Sequence, residues 1–409
     1  MKDFALLYAQ SGGPTSVINA SAYGVIKRAQ QLGIKVYVAL NGIEGLLAGR
    51  ISDISNETSE EIEKLRFTPA SAFGSCRLKL PVHTVNDEQY KTILSVFKKL
   101  NIHYFVYNGG NDSMNTCSKI ADFMQDNEYE CYVCGIPKTI DNDLLCTDHC
   151  PGFGSAAKFI ATACNEIALD TDVYAHGRVT VVEIMGRDAG WLTASSALAS
   201  AYGEGPDLVY LPERPFDINS FIEKCKQIYE KKHSCLVAVS EGIRDKDGTY
   251  ICNYAAETHK DMFNNTQLGG VGAYLASLIT EKTKIKTRAI ELSLMQRCAA
   301  HIASKTDNDE AVLAGASAVD AVANKITNKM VAFKRESNSP YKTVCVLAPL
   351  SDIAHGTQSM PDEYIGKDGC SVTQEFIDYA SPLICGEVDL EYKNGLPVFA
   401  KLKNDIISL

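Results

Sequence analysis

Nothing in this sequence approaches the 18 or more consecutive apolar residues of a bilayer-spanning helix, so no membrane anchor is expected. The start of the chain, Met1-Lys2-Asp3 followed by "FALLYAQSGG", has too short an apolar run and no small-residue cleavage pattern for a secretory signal. Positive charge is scarce. Against 50 Asp and Glu there are 40 Lys and Arg, and the net charge of −10 argues against nucleic acid or an anionic membrane as partner. Small anionic ligands are not barred, because a few arginines can reverse the field locally. The 14 cysteines are spread over 409 residues rather than crowded into a short chain, which fits a reducing cytoplasm better than a disulfide scaffold. Repeats, low-complexity tracts and charge-run linkers are missing too.

What is present is an ordinary globular balance, 45% hydrophobic and 22% charged, in a length that suggests two or three core-forming units. The order is strand, glycine-rich turn, helix, repeated. "FALLYAQ" leads through "SGGPTS" into a helix from about residue 16 to 32, and "IKVYVAL" follows as a strand. A polar helix near 59–65 and the helical "DEQYKTILSVFKKL" feed the strand "HYFVYNGGNDS". A helix from about 113 to 125 then precedes "YECYVCGIPKTIDND". A second series alternates "GSAAKFIATACNEIALDT", "RVTVVEI", "GWLTASSALASA", "DLVYLP", a helix near 218–231 and "CLVAVS". Such alternation predicts an α/β protein of two lobes with largely parallel sheets covered by helices. From about 334 to 409 one clear strand, "KTVCVLAPL", stands among polar turns.

Ligands in such sheets sit beyond the carboxyl ends of the strands. Four of those ends carry unusual residues: "QSGGPTS", "YNGGNDS", "IPKTIDND" and "EIMGRDAG". "GGPTS" and "GGNDS" each join a strand to a helix, where glycine lets the backbone approach an anion and the helix N-terminus offers free N–H groups. One such turn is needed for steric reasons alone, but two in one sheet point to phosphate. Asp112 sits where that anion would lie, which suggests a cation between them. Asp112 with Asp143 fits Mg²⁺, an ion that takes one or two carboxylates plus phosphate oxygens and waters; a helix cap is the plainer reading of Asp112. "TIDND" supplies a base, and in an extended conformation Asp141 and Asp143 would share a face, one for a hydroxyl and one for the metal. Arginine forks suited to phosphate occur as Arg178 and Arg187, as Arg288 and Arg297, and as Arg77. Glu241 ends a strand, where it could accept a sugar hydroxyl. Two decoys stand apart. "GFGSAA" imitates a dinucleotide turn but follows "TDHCP" rather than a strand, and Cys131, Cys134, Cys146 and Cys150 imitate zinc spacing although the first two alternate along a strand.

In order, "SGGP", "GSCR", "GGNDS", "PKTIDND", "GRVTVVEIMGR", "SEG", "TRA" and "MQR" closely resemble the phosphofructokinase family over about residues 4–300. The later "VLAPLSDIAHGTQSMPDEYI" is similar to the longer, pyrophosphate-using members. The resemblance implies two Rossmann-like lobes with the active site in the cleft between them. Residues 1–154 with about 298–350 would bind the donor, 155–297 the sugar phosphate, and 351–409 would pack on both as an extension. It makes Asp141 the general base, puts Thr139 at the transferred phosphoryl group, and gives Asp143 to Mg²⁺. Gly13 and Arg77 would line the donor. Met185, Gly186, Arg187, Glu241 and Arg297 would face fructose 6-phosphate in the same subunit. Arg178 and Arg288 would reach a neighbouring subunit's sugar phosphate, which implies a homo-oligomer, dimer or tetramer.

ATP-using relatives generally carry glycine where this chain has Asp112 and Lys138, and the pair implies pyrophosphate as donor, with Lys138 neutralising it. Asn111 replaces the usual first acid of its turn, Leu294 a frequent histidine, and Tyr23 an effector arginine of regulated relatives. The expected activity is therefore reversible, Mg²⁺-dependent transfer from pyrophosphate to the 1-hydroxyl of fructose 6-phosphate. The alternatives are ATP as donor, a non-catalytic regulatory subunit on the same scaffold, and a dehydrogenase resting only on "GFGSAA".

Overall fold

The strands at the centre of this protein are mainly apolar, and the computed structural model buries them on both faces. It describes residues 4–255, 270–353 and 356–409. In the first half of the chain, β1 (Ala5–Gln10), β2 (Val36–Ala39), β3 (Ile51–Asp53), β4 (Ile102–Gly109) and β5 (Tyr132–Pro137) come together. The second half supplies β6 (Val179–Ile184), β7 (Leu208–Tyr210), β8 (Cys235–Ser240) and β9 (Thr287–Glu291). Every residue of β1, β6 and β8 is buried, as expected for parallel strands covered by helices on either side.

Two main sheets result. A seven-stranded sheet runs β11 (Tyr341–Pro349), β10 (Lys329–Asn338), β5, β4, β1, β2, β3, and a four-stranded sheet runs β7-β8-β6-β9. The smaller one is parallel throughout. The larger one is parallel at its centre and antiparallel at its two margins. Its outer pair is a hairpin of β10 and β11, which returns to the first sheet after the second is complete. The sequence indicated only the second of these strands; β10 ends in "KRESN" and hides its strand character because that half projects beyond the sheet into solvent.

Helices start and cross for identifiable reasons. The helix Lys305–Ala323 is capped by Ser304, whose hydroxyl accepts from Asp307 N–H. It crosses the helix Ile18–Gln31 closely enough that backbone meets backbone at two glycines. A Cβ on Gly24 would lie 2.1 Å from the Val312 carbonyl oxygen, and one on Gly315 would lie 2.1 Å from that of Ser21. Only glycine fits at both faces of this crossing. The helix Phe153–Thr171, opened by "GFGSAA", has its first N–H groups already filled: Gly152 and Ser155 both donate to the Asp307 carboxylate at 2.9 Å. That carboxylate occupies the place of the phosphate that the glycines seemed to invite.

Beyond the hairpin the chain crosses to the smaller sheet. Phe376, Tyr379 and Leu383 join a core with Phe153, Trp191 and Ile140. The last residues come back to the larger sheet, where Ile407 N–H donates to the Ile51 carbonyl at 2.8 Å. Among the described residues no helix is long and apolar enough to cross a membrane, and all 14 cysteines are unbridged.

Candidate active site

Three neighbouring strands of the larger sheet, β5, β4 and β1, end at one edge and release their turns together. Lys138 N–H donates to Gly109 O at 3.1 Å, and Ser11 N–H donates to Asn108 O at 2.9 Å. Gly12, at φ +76°, makes the bend that β1 needs, a conformation open to glycine. Over this bend lies the Lys138 ammonium, hydrogen-bonded to Gly13 O at 2.6 Å. A Cβ on Gly13 would sit 3.0 Å from Arg297 Nη1 and 3.8 Å from Arg77 Nη2. One bare stretch of backbone is thus ringed by three cations drawn from three separate parts of the sequence.

The same edge carries the acids. Asp141 N–H donates to Thr139 Oγ1 at 3.1 Å, which turns the chain immediately after β5. Asn142 follows at φ +55°, so residues 141–143 form a turn and are not extended as the sequence suggested. Asp141 and Asp143 still influence one another. Burial pushes the Asp141 carboxyl up to about 7, with Asp143 and Glu241 adding to the rise and Lys138 opposing it. Asp143 is raised as well, chiefly by burial, while a hydrogen bond from Thr139 and the charge of Lys138 pull the other way. Lys138, only 4% exposed, is lowered by burial to about 8, helped by Arg77 and Arg297 and resisted by Asp141 and Asp143.

The smaller sheet presents its own strand ends to this cluster. After β6, Gly186 at φ +127° allows a sharp turn, and its N–H donates to Glu241 Oε1 at 3.3 Å. Met185 N–H donates to the Gln296 side chain at 3.3 Å, next to Arg297. Gly242 lets the two turns close on each other, since a Cβ there would lie 1.9 Å from the Arg187 carbonyl oxygen. Arg187 itself is exposed, and its charge acts on Glu241, whose carboxyl is raised mainly by burial. The two strand-end groups meet at Arg297, which lies against Gly13 of the larger sheet and follows Gln296, the partner of Met185, in the chain.

Asp112, Arg178 and Arg288 complete the expected set. Asp112, in the first turn of the helix Asn111–Asp126, is exposed and pairs with Lys79 at 2.9 Å. Its neighbour Asn111 approaches Asp143, Nδ2 to Oδ2 at 3.4 Å, and the Asn111 Oδ1 is buried without a partner. Arg178 and Arg288 stand at the opposite end of the smaller sheet. From Arg178 to Met185 the chain runs along β6, roughly 20 Å at about 3.3 Å per residue. Together the two arginines line a cavity of about 530 Å³ with Tyr174, His176 and Lys286.

Sequence reasoning missed Asp188, although it directly follows Arg187 in "MGRDAG"; it is held by Arg244 at 2.7 Å. It also missed a set of residues from the end of the chain. Gln358 N–H donates to the Asp143 carbonyl at 2.8 Å, and Tyr379 accepts a hydrogen bond from Asn142 at 2.9 Å.

Comparison with known proteins supplies a context for this geometry. A family model described as "Phosphofructokinase" matches residues 5–322. A protein of Xanthomonas campestris named pyrophosphate–fructose 6-phosphate 1-phosphotransferase is 42% identical over 406 residues, covering 98% of this chain and 96% of its own length. The crystal structure of a pyrophosphate-dependent phosphofructokinase from Nitrosospira multiformis superposes with a TM-score of 0.90 at 38% identity, covering all of this chain and 98% of that one. Its counterpart from Marinobacter aquaeolei gives 0.89 at 37% identity, with 99% and 98% covered.

Proposed function

Because this chain belongs to the phosphofructokinase family, we propose that its cleft transfers a phosphoryl group reversibly from pyrophosphate to the 1-hydroxyl of fructose 6-phosphate. The products are fructose 1,6-bisphosphate and phosphate. One observation carries the choice of donor: the ammonium of Lys138 lies buried on the Gly12–Gly13 turn beside Arg77 and Arg297. Three cations around so short a stretch suit a compact, densely charged anion. Asp112, paired with Lys79, adds a negative charge at the mouth of the second glycine turn that would repel the inner phosphate of a nucleotide.

Asp141 takes the proton of the attacking hydroxyl. A carboxyl raised to about 7 by burial is a better proton acceptor than an ordinary aspartate, which is what a general base at neutral pH requires. The hydroxyl then attacks the distal phosphorus, with Thr139 beside the group in flight and Lys138, Arg77 and Gly13 around the leaving phosphate. Phosphoryl transfer asks little beyond such positioning and charge stabilisation. Met185, Gly186, Arg187, Glu241 and Arg297 hold the sugar phosphate. Reversal is chemically reasonable, because pyrophosphate and the ester formed differ less in energy than ATP and the ester do.

Magnesium fits the residues present. Asp143 is a desolvated carboxylate, and the unpartnered Asn111 Oδ1 beside it is an oxygen of the kind a hard cation takes. These two would hold the ion, and its chemistry would be to neutralise phosphate oxygens. Asp112, the next residue along and paired with Lys79, is the further carboxylate of that turn.

Arg178 and Arg288 are too far from Met185 to serve the same sugar. They extend to the sugar phosphate of a second copy, so the working unit is a homo-oligomer, dimer or tetramer, in the cytoplasm. A coupled assay with fructose 6-phosphate, Mg²⁺ and either pyrophosphate or ATP tests the whole reading. Turnover with pyrophosphate at least a hundredfold above that with ATP is expected; preference for ATP would overturn it.

A further inference from the structure

The base assigned above is the first residue of a turn held by partners from distant parts of the chain. Asn142 has a left-handed φ of +55°, which costs an L-residue stability unless its surroundings fix it. Its side chain is buried and doubly bonded. Cys150 N–H donates to Asn142 Oδ1 at 2.8 Å, and Asn142 Nδ2 donates to Tyr379 Oη at 2.9 Å. The tyrosine hydroxyl then gives its single proton to the Asp148 carbonyl at 2.8 Å. A backbone N–H starts this chain and a carbonyl ends it, so every donor in between has one direction available.

Tyr379 is itself anchored. Arg335 Nη1 donates to its carbonyl at 2.8 Å and covers its ring face at 4.6 Å, while Nη2 pairs with Asp148 Oδ1 at 2.8 Å. Asp148 also meets His149, which pairs on its other side with Glu310 at 2.7 Å. A second clasp comes from the same end of the chain, where Gln358 N–H holds the Asp143 carbonyl and Gln358 O accepts from the Trp191 indole at 3.0 Å. Both residues that follow Asp141 are therefore gripped by one C-terminal segment, which also binds the smaller sheet's flank.

We propose that Tyr379 is a positioning residue for the transfer reaction: through Asn142 its hydroxyl fixes the turn that aims the Asp141 carboxylate at the sugar hydroxyl. The inference rests on the assignment of Asp141 as base. Tyr379 touches no substrate and acts on kcat alone, because displacement of a reacting group by a fraction of an ångström slows the step without changing how substrates are held.

Tyr379→Phe keeps the ring packed against Trp191 and removes only the hydroxyl. In steady-state assays of the full chain with pyrophosphate, fructose 6-phosphate and Mg²⁺, kcat should fall about tenfold or more with both KM values within about twofold. Asn142→Gly, which tolerates the left-handed turn but has no side chain, should show the same split, so the inference stays testable if the tyrosine variant folds poorly. Placed in the Asn142→Gly background, Tyr379→Phe should have no further effect on kcat. Wild-type kcat in either single variant, or two losses that multiply in the double variant, overturns the proposal while leaving the function standing. A wild-type protein silent with both substrates overturns the function and this inference together.

Discussion

Replacing Lys138 by methionine separates a residue kept for chemistry from one kept for stability, because the two roles give effects of opposite sign. Burial lowers the pKa of the ammonium from 10.5 to about 8. Holding it charged inside the protein therefore costs about 3 kcal/mol at neutral pH, at about 1.4 kcal/mol per unit. Set against this is the hydrogen bond to Gly13 O, whose loss leaves a carbonyl unpaired at about 1–3 kcal/mol. The terms nearly offset one another, and Lys138→Met should be between unchanged and about 2 kcal/mol more stable. The pH dependence has a fixed direction. A depressed lysine pKa makes the cost complete below about pH 8, and the cost fades towards pH 10.5, where the unfolded chain too releases its proton. Any gain from methionine should shrink over that window. Activity moves the other way: loss of a buried charge facing the donor should lower kcat/KM for pyrophosphate by about 10²–10³. Urea unfolding at pH 7 and pH 10 with initial-rate assays gives both numbers. A variant less stable by more than about 2 kcal/mol would make the ammonium a structural strut, and one that keeps its pyrophosphate turnover would remove Lys138 from the mechanism.

The sharing of sugar-phosphate sites predicts complementation. Arg288→Ala and Asp141→Asn should each be nearly inactive alone, yet co-expressed in equal amounts they should recover about a quarter of wild-type activity, since one site in each hybrid pair keeps both residues. No recovery would confine each site to a single chain. His149 predicts a pH-dependent stability difference. Burial by itself would lower its pKa, but Glu310 and Asp148 on either side outweigh burial and raise it from 6.5 to about 9. Its contribution is complete below pH 6.5 and is lost as the pH rises through 9, to a total of up to about 3 kcal/mol. The gap in urea midpoint between wild type and His149→Gln should narrow over that range; a constant gap would place the imidazole outside any ion pair.

Much of this architecture was legible because its signals are local. Mainly apolar, β-branched runs such as "VTVVEI" and "CLVAVS" announce parallel strands buried on both faces, and the glycines after β1 and β4 mark where backbone must stay bare. The edge strand β9 gave no such signal, since "TRAIE" is five residues long with two charges and only one face to bury. At the site, residue types were readable while their partners were not. That Asp112 pairs with Lys79, and that Asn111 approaches Asp143, depends on which way the first turn of a helix faces. Alternation along a strand suggested a shared face for Asp141 and Asp143, whereas Thr139 and Asn142 turn the chain there. Tyr379 was invisible for a simpler reason. It reaches Asn142 from 237 positions away, and no local pattern encodes such a return.

The crossing of helices Ile18–Gln31 and Lys305–Ala323 also bears on the donor turn, which the first of them continues. With carbonyl oxygens seated where methyl groups would be, the two backbones touch at Gly24 and Gly315 with nothing soft in between to deform. A wedge as small as one alanine at Gly24 or Gly315 would have to prise them apart by about 1 Å or more. The Gly12–Gly13 bend would ride outward on the displaced helix. Selectivity for a very short polyanion is thus tied to a dry hinge pin far from any phosphate, and mutations there should register first as weakened donor binding.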